Sequence, residues 1–87
     1  MVNLLERIAK LTDLPADTVA GAPKIVLSGD CRAVVENHRG LLQYTESVIA
    51  AAGGRCTVRI RGEGLTLRAM DRRVLVVSGK IFGVDME

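Results

Sequence analysis

Residues 55–61 read Arg55-Cys56-Thr57-Val58-Arg59-Ile60-Arg61. Cys56, Val58 and Ile60 fall on one side of an extended chain; Arg55, Thr57, Arg59 and Arg61 fall on the other. This strict period of two marks a strand with one face buried and one face in water. It sets the class of the fold, and the segments on either side follow the same logic.

Gly53-Gly54 supplies a hairpin turn ahead of this strand. Downstream, Gly62-Glu63-Gly64 reads as a turn, Leu65–Ala69 alternates again, and Met70-Asp71-Arg72 turns once more. Arg73–Ser78 holds consecutive valines and needs cover on both faces. Gly79-Lys80 turns or bends, and Ile81–Met86 is the last strand. Upstream, Lys24–Ser28 and Arg32–Glu36 are strands joined by the tight turn Ser28-Gly29-Asp30-Cys31. There Ser and Asp bond their own backbone, and Gly takes positive φ at little cost. Asn37-His38-Arg39-Gly40 makes the next turn. Leu41–Thr45 is a third strand, continued past Glu46 by Ser47–Ala51 through a bulge or bend. The alternative over 41–52 is a helix, because Leu41, Leu42, Thr45, Val48, Ile49 and Ala52 also fit helical spacing; the turn signals on both sides favour the strand.

Turns near 29, 38, 53, 63, 71 and 79 recur at spacings of about 8–12 residues, the rhythm of antiparallel β proteins. The expectation is a mainly β fold with a six- to seven-stranded antiparallel meander, sandwich-like or solenoid-like. A small open sheet leaves unpaired backbone groups at its borders, which another copy of the chain can use.

Before the sheet, residues 2–12 read as a short amphipathic helix. Leu4, Leu5, Ile8 and Leu11 share one face, Glu6, Arg7 and Lys10 the other, and Asn3 is placed to cap it. Leu14-Pro15 begins a linker, and Pro23 forces Ala22 into an extended conformation. The chain divides into a helix and linker over 1–22 and a β domain over 23–87, one domain in all.

At 87 residues, the chain buries only about 60% of its unfolded surface, so its core is thin and association with a partner or with itself is favoured. The core must come from Val, Ile, Leu and Ala, since the sequence holds one Tyr, one Phe and no Trp. The net charge of +2 is nearly neutral and does not announce a nucleic-acid binder. No stretch has the length of a membrane span or the pattern of a signal peptide, so a soluble, cytoplasmic chain is expected. Cys31 and Cys56 lie far apart with no CxxC and read as buried small hydrophobes, with a disulfide between neighbouring strands as the alternative.

Two residue sets stand out. The first is Glu36-Asn37-His38-Arg39-Gly40, where a carboxylate, an amide, an imidazole and a guanidinium are consecutive. His38 is the only histidine; Glu36 and Asp30 are candidate orienting partners, and Glu36 could pair with Arg39 if the flanking strands form a hairpin. No nucleophile accompanies the histidine, and metal binding needs three or four ligands. No catalytic, cofactor or metal site is therefore expected, and the set reads as a rigid turn or contact surface. The second set is Arg55, Arg59 and Arg61, with Arg68 joining their face if the next strand pairs as a hairpin; Arg72 and Arg73 lie nearby. It reads as a solvated face covering apolar surface, or as an anion-binding face for nucleic acid, phospholipid headgroups or an acidic partner. The lack of interleaved aromatics argues against single-stranded nucleic acid.

The chain resembles the YabP/YqfC family of sporulation proteins, the YqfC branch most closely. The resemblance runs over about residues 14–84. It is carried by Leu14-Pro15-Ala16-Asp17, Pro23-Lys24-Ile25, Gly29, Glu36-Asn37-His38-Arg39-Gly40-Leu41, Tyr44-Thr45, Ile60-Arg61-Gly62, Leu65-Thr66-Leu67 and Val76-Val77-Ser78-Gly79-Lys80-Ile81. It implies expression during endospore formation and action beside a membrane protein, at the periphery of the forespore or mother-cell membrane. It assigns no catalytic residue. The expectation is a non-enzymatic, self-associating assembly or adaptor component, with a small anion-binding β-module as the rival.

Overall fold

The computed structural model describes residues 22–87; the helix expected over 2–12 lies outside them. Six strands form one antiparallel sheet: β1 Lys24–Ser28, β2 Arg32–Glu36, β3 Leu41–Tyr44, β4 Val48–Ala52, β5 Thr57–Met70 and β6 Val74–Met86. Their order is β1-β2-β6-β5-β4-β3, which is not a simple meander. The hairpin β1–β2 flanks one side of the long hairpin β5–β6, and β3–β4 flanks the other. β2 lies against Val74–Ser78 of β6, whereas β4 lies against Thr57–Arg61 of β5.

The six strands fall within the expected six to seven, but the breaks between them differ from expectation in three places. The turn expected at Gly62-Glu63-Gly64 is a bend inside β5, and the one at Gly79-Lys80 is a bend inside β6. Glycine here relieves crowding rather than reversing the chain. A Cβ on Gly62 would strike the Lys80 carbonyl, and one on Gly79 would sit 2.6 Å from the Gly64 carbonyl. The register shifts on both sides of this crossing mark bulges, which bend and twist a pair of strands. In the other direction, the single strand expected over 41–51 is two. Thr45 breaks it: its Oγ1 accepts the N–H of Val48 at 2.9 Å and of Ser47 at 3.3 Å, while its own N–H donates to the Val48 carbonyl at 2.7 Å. No helix forms over 41–52.

The bend sets the two ends of the sheet face to face. Ala33 and Val35 of β2 and Ile49 and Ala51 of β4 share one buried cluster with Val58, Ile60, Leu65, Leu75, Val77 and Ile81, although β2 and β4 are not neighbours in the sheet. The result is sandwich-like: β1, β2 and the first half of β6 on one side, β3, β4 and the first half of β5 on the other. Val34 and Val76 form a second small cluster on the reverse of β2 and β6. That fulfils the two-sided cover expected for the valine run of β6, where Leu75, Val76 and Val77 are all fully buried.

The cysteines depart from expectation. Cys31 sits exposed in the β1–β2 turn, where its position is dictated by the turn rather than by packing. Cys56 is only half-buried, and both are free thiols.

Candidate functional site

The polar run 36–40 does not cap a hairpin, because β2 pairs with β1 and β6, and β3 with β4. It is the crossover between the two sides of the fold. Glu36 ends β2 and pairs with Lys24 across the β1–β2 register, at 3.5 Å, rather than with Arg39. Asn37 takes a left-handed backbone conformation, φ 64°, which Asn tolerates better than most residues. Its side-chain amide donates to the Ala22 carbonyl at 3.2 Å, tying the chain entering β1.

His38 is the buried polar side chain of the described residues, 5% exposed. The Gly40 N–H donates to its Nδ1 at 3.1 Å. An accepting Nδ1 leaves the ring proton on Nε2, which donates to the Asp71 carbonyl at 2.8 Å. The His38 N–H donates to the Arg73 carbonyl. The imidazole therefore joins the crossover to the β5–β6 turn with both ring nitrogens occupied. Asp71, in turn, organises that turn. Its Oδ1 accepts the N–H groups of Arg73 and Val74 at 2.8 and 2.7 Å. Those two amides, Arg73 first, hold its carboxyl below the usual carboxylate range. Arg39 and Gly40 bond Ala52 at 2.7 and 2.8 Å through the backbone and start the second side of the fold.

Asn37, His38, Arg39 and Arg73 line a shallow recess of about 200 Å³. Both imidazole nitrogens beside it are engaged in backbone bonds. Among the described residues, no group of three or more His, Cys, Asp and Glu side chains is placed to hold a metal. Asp30 is not a partner of His38; the orienting group is the backbone of Asp71, which sequence spacing could not reveal across 33 residues.

The arginines are dispersed. Arg61 Nε bonds Asp85 at 2.6 Å and Arg59 Nε faces Glu87 at 3.3 Å, so their charges are offset within the chain. Arg55 lies exposed in the bend before β5. Arg68 stands beyond the bend in β5, where it shares an open recess of about 610 Å³ with Ser28, Cys31, Arg32, Ser78 and Gly79. No described carboxylate pairs with Arg32 or Arg68. Tyr44, noted in the sequence only within the family resemblance, spans the gap between the two sides: its hydroxyl accepts the Leu67 N–H at 3.0 Å. No helix of the described residues is long and apolar enough to cross a membrane.

Over the described residues, a small all-β domain, an open sheet folded on itself around a buried histidine crossover, is the class of fold that these features define. The chain belongs to the YabP family, whose model matches residues 20–87. It is also similar to an uncharacterized protein, YqfC, of Bacillus subtilis (strain 168). The two are 26% identical over 76 residues, a span covering 85% of this chain and 80% of that one. No solved structure matches.

Proposed function

We propose that the protein is a non-enzymatic component of endospore formation that associates with itself and acts as an assembly or adaptor element beside a membrane protein. Membership of the YabP family is the observation that carries the sporulation part. The assembly part is supported by open strand borders and by exposed apolar side chains, including Leu42, Tyr44, Phe82 and Met86. The non-enzymatic part is supported by a histidine whose ring nitrogens are both engaged by the backbone. Deleting the gene in its own host is expected to lower the yield of heat-resistant spores, with growth before sporulation unchanged. Restoration by the wild-type gene completes the test, and an undiminished spore yield overturns the reading.

A second reading, binding of an anionic partner, is favoured by the recess that holds Arg32 and Arg68. Such binding weakens steeply as salt rises, whereas edge-strand or apolar association does not. Of the four arginines first considered for this role, Arg68 fits best, because Arg59 and Arg61 face carboxylates of their own chain.

A further inference from the structure

We infer that the second half of β6, Phe82–Met86, is the border through which two copies of the chain join, strand against strand, about Val84. This rests on the self-association proposed above and names the surface that makes it.

Backbone parity identifies the free groups. Thr57 and Glu87 exchange both of their N–H···O bonds, each 2.9 Å. Bonded pairs alternate along an antiparallel ladder, so the register assigns Arg59↔Asp85 and Arg61↔Gly83 as bonded pairs and Ile60↔Val84 and Val58↔Met86 as non-bonded ones. Val84 and Met86 therefore turn their N–H and C=O groups away from β5. β2 covers β6 only at Val74–Ser78. The β1–β2 turn then accepts the Gly79 and Ile81 N–H groups through the Cys31 and Asp30 carbonyls. Beyond Ile81, no described strand stands on that side.

The borders on the outer strands are guarded, and on the far half of β5, beyond the reach of β4, the Leu67 N–H is already taken by the Tyr44 hydroxyl. β3 spans only Leu41–Tyr44 and carries a register shift, and β1 begins with Lys24; short edges, bulges and lysines all oppose strand addition. The β6 border instead has Val84 at its centre, with Phe82 and Met86 on either side, 59% and 54% exposed.

Charge selects the register. Gly83 has no side chain, and the Arg61 guanidinium occupies the space where its Cβ would be, while Arg61 Nε holds Asp85. Antiparallel pairing centred on Val84 sets the second copy's Asp85 opposite Gly83, beside this guanidinium. Each Arg61 then meets two carboxylates, and Phe82 of each copy lies opposite Met86 of the other. Centring on Asp85 would oppose two like charges, which is unfavourable for directly facing cross-strand residues.

Light scattering across a concentration series tests this with the full chain. The wild type is expected to rise from one chain mass toward two. Val84→Pro removes an outward N–H and no bond to β5, and should weaken association about ten-fold or more. Phe82→Lys, at an exposed position, should weaken it comparably. Circular dichroism checks that each variant folds; if Val84→Pro does not, Phe82→Lys decides. Folded variants that associate as the wild type does overturn this border while leaving self-association standing. A wild type that stays monomeric throughout overturns both.

Discussion

His38 Nε2 lies 2.8 Å from the Asp71 carbonyl oxygen, a bond across 33 positions of sequence that joins the β2–β3 crossover to the β5–β6 turn. A second bond, from the Gly40 N–H to Nδ1, fixes the ring from the other side. The imidazole is thus the rivet between two connections that share no ladder.

Replacing His38 by Ala removes a buried acceptor and a buried donor together, leaving two backbone groups without their partner. The expected loss is about 2–3 kcal/mol, read as a lower urea midpoint with an unchanged slope. His38→Gln, which can keep one of the two bonds, should lose about half as much. Equal stability of His38→Ala and the wild type would remove the rivet from the account.

Asp71 predicts an acid dependence. Its carboxyl is held low by the Arg73 and Val74 amides, so folding favours the ionised form. The associated stability is fully present above the unfolded carboxyl value of about 3.9. It is lost as pH falls through that value toward the lower folded one. Asp71→Asn keeps an oxygen for the two amides but cannot titrate. Its urea midpoint should therefore fall less than the wild type's between pH 5 and 2; parallel curves would count against the assignment.

The bend predicts a contrast between glycines. At Gly79, φ is 132° and an added Cβ would sit 2.6 Å from the Gly64 carbonyl; at Gly64, φ is 62° and nothing lies within 4 Å of such a Cβ. Gly79→Ala should cost about 3 kcal/mol or more, since backbone strain and a backbone clash act together. Gly64→Ala should cost about 1 kcal/mol, the left-handed backbone penalty alone. Thermal melts of the two variants, run side by side, check the order.

The core predicts a second contrast. Leu75 is fully buried among the aliphatics that join the two sides of the sheet, whereas Leu42 is 60% exposed. Leu75→Ala should lose about 2–5 kcal/mol, and Leu42→Ala less than about 0.5 kcal/mol. Denaturant titration separates these easily.

Periodicity carried much of this fold. Arg55 and Cys56 fall in the bend before β5, but the alternation over 57–61, the valine run at 74–77 and the turns at Ser28–Cys31, Gly53-Gly54 and about Asp71 all read correctly, because each is decided by near neighbours. The bends at Gly62 and Gly79 did not, since glycine looks the same in sequence whether it reverses a strand or lets another backbone pass close by. The break after Thr45 was legible only as a bulge or bend past Glu46, because the run has good strand and helix spacing alike and the Thr45 bonds that close the turn leave no periodic mark. At the candidate site, residues 36–40 were visible as a polar cluster. Their partners at 71–73 were not, because that contact depends on which strands become neighbours. The arginine face was similarly half-visible: alternation placed Arg59 and Arg61 together, but Asp85 and Glu87 reach them only through the β5–β6 ladder.

The slot between β2 and β5 is filled by β6, about forty residues later in the chain than the strand it completes; Val35 waits for Leu75. On a ribosome, β1–β2 would emerge with one flank unmade until synthesis had passed residue 78. During that interval the nascent hairpin presents Ala33, Val34 and Val35 to any passing strand. Quality-control factors that shield such flanks, or brisk elongation through residue 78, would raise the yield of correctly paired product.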